Sequence, residues 1–134
     1  MERSTGAPPD ARAALDRITR AWLESRPGDI RPYLHPDVVM AYPGFAGRSR
    51  GADALIGGFE QFCREARIVS YTEMDHEADE VAGTSVVTLR WEMVYERGGA
   101  SWRATGRDLW VFADQGEGPR AVWRTMLDVE EVPA

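Results

Sequence analysis

Residues 85–112 read SVVTLRWEMVYERGGASWRATGRDLWVF. Ser85, Val87, Leu89, Trp91, Met93 and Tyr95 alternate with Val86, Thr88, Arg90, Glu92, Val94 and Glu96, which predicts a strand over 85–97 with one buried and one mostly polar face. Gly98-Gly99 supplies the positive φ of a hairpin turn. In the returning strand Trp102, Ala104, Gly106, Asp108, Trp110 and Phe112 form the bulkier apolar face, while Arg103, Thr105 and Arg107 point the other way. An ionisable group, Asp108, therefore stands on an apolar face.

Downstream, DQGEGP (114–119) turns the chain again, and RAVWRTMLDV (120–129) is the last strand. Upstream, 70–79 is a first long strand of poor alternation. Before it, Leu55, Phe59, Phe62 and Cys63 form one stripe of a helix over 52–66, which Gly57-Gly58 weakens by about 1 kcal/mol each relative to alanine. PGFAGRSRG (43–51) reads as a loop and VVMAY (38–42) as a short strand, preceded by a turn, IRPYL (30–34), capped by Asp29. The first helix starts at Ala11 behind Asp10 as N-cap, carries Leu15, Ile18 and Trp22 at helical spacing, and stops before Pro27. Residues 1–9 read as a flexible tail and 10–134 as a single domain. Helices first and a meander of long strands afterwards predict an α+β fold, a curved and mainly antiparallel sheet wrapped around N-terminal helices.

The 134 residues suffice for one core, and 43% apolar with 28% charged residues is the composition of an ordinary globule. No run approaches the roughly 18 apolar residues of a spanning helix, and the N-terminus has no signal-peptide core, so a cytoplasmic protein is expected. A net charge of −6 with interleaved arginines disfavours nucleic acid. The single cysteine, Cys63, excludes an internal disulfide and has no evident basic activator. His35 and His76 lie far apart without metal-ligand spacing, so they read as turn and surface residues and no metal is expected.

The order of helix, GDI turn, HPDVV strand, helix and three long strands resembles the nuclear transport factor 2-like superfamily, the cone-shaped fold of SnoaL-like polyketide cyclases and ketosteroid isomerase. The resemblance spans about residues 11–130. RWEMVY (90–95) is similar to the third-strand pattern of the isomerases, and DLWVFADQG (108–116) to their fourth-strand end. It implies a deep apolar pocket between the helices and the concave sheet face, no cofactor, and a homodimer through the outer face that carries Arg90, Glu92, Arg103, Thr105 and Arg107. Of the three polar residues of isomerase chemistry, Asp108 falls at the fourth-strand aspartic acid. The helical tyrosine falls at or next to Ala21 and Trp22, and the carboxylate base falls at Tyr42, so a steroid isomerase is disfavoured.

Asp108 and Tyr42 are the candidate catalytic residues. Burial disfavours the charged form of Asp108, and a neutral carboxyl donates a hydrogen bond, as the resemblance implies. The alternative is a structural ion pair with Arg124 or a bond from a tryptophan N–H. Asp108→Asn is then expected to fold and lose ligand, whereas a loss of several kcal/mol marks the ion pair. Trp22, Tyr33, Trp91, Met93, Tyr95, Trp110 and Trp123 are the candidate pocket residues, and such a lining suits a flat, largely apolar metabolite. The expected function is cofactor-independent acid–base chemistry on that metabolite (isomerisation, cyclisation, dehydration or hydrolysis). A non-catalytic binding or dimeric interaction module is the alternative, since convincing acid–base catalysis needs both a donor and a base.

Overall fold

The computed structural model describes residues 11–134. The tail over 1–9 and the Asp10 cap lie outside them. Helix α1 spans Ala11–Leu23, a 3-10 turn spans Pro27–Tyr33, and strand β1 runs Leu34–Ala41. The segment read as a loop contains a short strand, β2 (Arg48–Arg50), paired antiparallel to β1. Three polar residues in a row carry no alternation to announce it. Helix α2 (Ala52–Glu65) follows, then β3 (Ala66–Val81), β4 (Thr84–Arg97), β5 (Ala100–Asp114) and β6 (Pro119–Pro133). Strands β3 and β6 are thus longer than their sequence patterns predicted, because each continues through irregular pairing.

The six strands lie in the order β2-β1-β6-β5-β4-β3, with β1 and β6 parallel and every other pair antiparallel. Both helices cover one face of this curved sheet. From α1, Ala14, Leu15, Ile18 and Ala21 are buried, and from α2, Ala52, Leu55 and Ile56. They meet the inner residues Val87, Leu89, Trp91, Met93 and Tyr95 of β4, and Ala104, Trp110 and Phe112 of β5. The alternation that defines β4 and β5 is what supplies this face.

Two irregularities decide which side chains face inward. Between Met74 and Glu77 the β3–β4 register shifts by one, with Asp75 at φ 57°. Between Val111 and Phe112 the β5–β6 register shifts likewise, so that Phe112 pairs with Ala121 but Trp110 with Arg124. A one-residue slip exchanges the two faces of a strand. Glu73 is thereby opposite the inward Trp91, and Arg124 and Met126 are opposite the inward Trp110 and Asp108.

Candidate functional site

Helices and inner sheet face enclose a cavity of about 240 Å³. Ile18, Thr19 and Trp22 of α1 and Leu55, Phe59 and Phe62 of α2 form one wall; Tyr71, Trp91, Met93 and Trp110 face them from the sheet. Polar groups enter around Asp108, around Glu73 and at Tyr42 and Ser49. A larger and shallower groove of about 780 Å³ beside the Gly98-Gly99 turn gathers Arg64, Arg67 and Arg97 at the surface and contains neither carboxylate.

Asp108 is 3% exposed. Its Oδ2 accepts from Arg124 Nη2 at 2.7 Å and Nε at 3.1 Å, and its Oδ1 accepts from Trp91 Nε1 at 3.2 Å. All three contacts are donors, the surroundings of a carboxylate anion rather than of a hydrogen-bond-donating acid. The structural partners expected as the alternative, Arg124 and a tryptophan N–H, are both present. Arg124 is in turn held between rings, its guanidinium carbon 5.0 Å from the centroid of Trp110 and 5.7 Å from that of Phe59. Among the described residues its Nη1 meets only the weak acceptor Sδ of Met40, at 3.9 Å, and Arg124 lines the cavity. That nitrogen is a charged donor that an incoming oxygen can engage.

Glu73 lies 16% exposed and collects three contacts of its own. Oε2 accepts from the Tyr71 hydroxyl at 2.7 Å and the Thr19 hydroxyl at 3.0 Å, and Oε1 stands 3.0 Å from His76 Nε2. Burial, then the adjacent Glu73 charge, pushes the Tyr71 phenol far above its ordinary pKa, so it remains a neutral donor to Glu73. Among the described residues Glu73 has no guanidinium partner, and one of its roughly four acceptor positions is untaken. The β3 irregularity folds His76 back onto the same carboxylate; it is half-buried here, where a surface position was expected. Neither Glu73 nor Tyr71 stood out in the sequence, because unbroken pairing from the Ala82-Gly83 turn would put Glu73 on the outer face.

Trp22, Trp91, Met93 and Trp110 line the cavity together with Asp108, and Tyr42 sits at its rim, 39% exposed. Tyr33, Tyr95 and Trp123 lie elsewhere. Tyr33 ends the 3-10 turn half-buried against the core, its hydroxyl accepting from Arg17 Nη1 at 3.2 Å. Tyr95 is buried against Phe62, with ring centroids 5.5 Å apart, and donates its hydroxyl to Glu131. Trp123 is on the outer face of β6, donating to Thr125 Oγ1 at 2.6 Å beneath the guanidinium of Arg48. Cys63 is half-buried, its thiol pushed up in pKa by burial, and its Sγ lies 3.8 Å from the Trp22 carbonyl. Among the described residues no cluster of His, Cys, Asp and Glu is arranged to hold a metal ion, and no helix is long and apolar enough to cross a membrane.

Known structures share this architecture. A nuclear transport factor 2-like protein from Cytophaga hutchinsonii superposes with a TM-score of 0.71 at 14% identity, over 85% of this chain and 91% of that one. A ketosteroid isomerase-like protein from Erwinia carotovora atroseptica gives 0.75 at 14% identity, over 92% and 94%. A protein with a cystatin-like fold from Caulobacter vibrioides gives 0.72 at 16%, over 87% and 84%. At these identities the likeness is one of fold, which is the expected cone-shaped α+β fold. No curated protein matches the sequence. The SnoaL-like domain model matches residues 15–117, most of the chain, and the protein therefore belongs to the SnoaL-like domain family.

Proposed function

We propose that this chain is a cofactor-independent enzyme that moves a proton on a compact, flat, largely apolar metabolite carrying a carbonyl or hydroxyl oxygen. The observation that supports this reading is a guanidinium and a carboxylate lining one cavity, Arg124 with its Nη1 and Glu73 with an open acceptor position. Arg124 binds the oxygen of the ligand and stabilises charge that develops there. Glu73 takes the proton and returns it, with His76, Tyr71 and Thr19 fixing its orientation. Asp108 acts through Arg124, as a positioning residue that fixes the guanidinium and offsets its charge. Tyr42 orients the ligand at the mouth. A cavity of about 240 Å³ is below the roughly 300–1,000 Å³ of drug-sized sites, which favours one- or two-ring ligands over steroids.

The test is a mass-spectrometric screen in D2O of wild type, Glu73→Gln and Asp108→Asn against bicyclic ketones, terpenoid epoxides and hydroxylated aromatics. Deuterium uptake reports enolisation, and a mass change reports hydration, dehydration or hydrolysis. Glu73→Gln is expected to lower turnover by about 10²–10⁴-fold while still binding ligand. Ligands held but returned unchanged by the wild type would replace the enzyme with a binding module of the same family.

A further inference from the structure

The indole nitrogen of Trp22 is buried and has no hydrogen-bond partner among the described residues, although Trp22 lines the cavity. The indoles of Trp91 and Trp123 both donate, to Asp108 and to Thr125. Around Trp22 stand the rings of Phe59, Phe62 and Tyr71, with centroids at 5.9, 5.6 and 5.3 Å. Rings offer an N–H only a weak, second-order acceptor. A buried donor left unpaired is costly, and native structures rarely keep one without a reason.

Contacts place this donor relative to the other one. Trp22 touches Phe59, Phe59 touches Arg124, Arg124 binds Asp108, Asp108 binds Trp91, and Trp91 stacks at 6.4 Å on Tyr71, which returns to Trp22. These six lining side chains close a circuit in which Trp22 and Arg124 flank the same phenyl ring, Phe59. Both donors belong to side chains that border one cavity, so a planar ligand with two oxygens can meet each with a separate acceptor.

We infer that Trp22 Nε1 is a ligand-binding hydrogen-bond donor, and that the substrate is a compact ring compound with two oxygen acceptors, one for Arg124 and one for Trp22: a hydroxyketone or a dione. The inference rests on the cavity being the small-molecule site proposed above, and it deepens that reading by requiring a second oxygen. It does not require turnover.

The experiment compares 1-tetralone, which has one acceptor, with its ring-hydroxylated positional isomers on the same skeleton, by isothermal titration calorimetry on the full chain. At least one hydroxylated isomer is expected to bind wild type about tenfold more tightly than 1-tetralone, the range set by one buried hydrogen bond. Trp22→Phe should erase that difference when both ligands are measured on the same variant, whatever the lost ring contact does to the two affinities in common. The Trp22 indole ¹⁵N–¹H resonance should move downfield with that isomer and stay in place with 1-tetralone. If Trp22→Phe fails to fold, Trp22 replaced by benzothienylalanine keeps the ring shape and removes the N–H. A preference that survives loss of the N–H, an indole resonance unmoved at saturation, or a series without any preference overturns the inference. Binding that depends on Trp22 alongside a silent turnover screen sinks the enzyme reading alone, whereas turnover indifferent to Trp22 sinks this inference alone.

Discussion

Consider replacing Asp108 with asparagine. The site is nearly dry: Asp108 is 3% exposed and the Arg124 side chain 12%. The asparagine oxygen can still accept from Arg124, but its NH2 then faces the Trp91 N–H, so a donor meets a donor where Oδ1 now accepts at 3.2 Å. An unsatisfied buried donor costs about 1–3 kcal/mol. The guanidinium also loses the counter-charge that binds it at 2.7 and 3.1 Å, and breaking a buried pair from one side costs about 3–5 kcal/mol. The retained amide oxygen and the rings of Trp110 and Phe59 offset part of this, which leaves a net loss of about 3 kcal/mol. For a chain of this size that lowers Tm by roughly 10 °C. Urea unfolding followed by circular dichroism measures it, in a cycle with Arg124→Met. The Asp108→Leu, Arg124→Met double variant should recover most of the stability lost by Asp108→Leu, since an apolar pair leaves no orphaned charge. A loss under about 1 kcal/mol for Asp108→Asn, with no coupling in the cycle, would refute the reasoning and return Asp108 to the role of a free acid.

Other outcomes follow from the same geometry. A Cβ at Gly106 would lie 2.5 Å from Trp91 Cζ2 and 2.7 Å from the Asp128 carbonyl, so Gly106→Ala should cost about 3 kcal/mol and alter the near-UV circular dichroism of Trp91. Burial, then the hydrogen bond to Glu131, raises the Tyr95 phenol to about 12 in the folded chain, whereas the unfolded chain releases that proton near 10. Stability held below pH 10 should therefore fall between pH 10 and 12, and Tyr95→Phe should flatten that decline in urea titrations at fixed pH. On the outer sheet face Arg90 and Arg107 are already paired within the chain, to Asp75 and Asp128, while half-buried Val86, Leu109, Val111 and Trp123 form an apolar band. We propose this band as the homodimer contact; Trp123→Arg should convert a dimer to a monomer in light scattering, and a monomeric wild type would discard the idea.

Much of the site was legible wherever a strand runs unbroken. Strands β4 and β5 pair residue for residue from Thr84–Ala113 to Arg97–Ala100, so alternation alone puts Trp91, Met93, Asp108 and Trp110 on one face. Legibility failed at the shifts in register. Counting back from the Ala82-Gly83 turn without a bulge pairs Glu73 with Glu92, on the outer face; the bulge pairs it with Trp91 instead. Counting along β6 from Ala121 by twos puts Trp123 inside and Arg124 outside, and the extra residue, Val122, reverses both. One physical cause thus hid Glu73 and misplaced a tryptophan expected in the pocket. Bulges have no strong sequence signature here: Asp75 takes a positive φ that glycine would have advertised. Strand β2 was missed for a different reason, since RSR forms only because β1 offers it an edge.

The parallel pairing of β1 with β6 also dictates the order in which the site comes into being. Strands β3 to β6 are joined by short turns and pair with their sequence neighbours, so they form through local contacts. Strand β1 and its edge partner β2 join the sheet only through β6, with Leu34 against Ala121 and Met40 against Arg124. On a ribosome, β1 cannot pair along this edge until β6 has been made, which makes this the most nonlocal pairing in the sheet. The arginine that would grip a ligand meets its Met40 neighbour only through that pairing, so the cavity wall is incomplete until it forms.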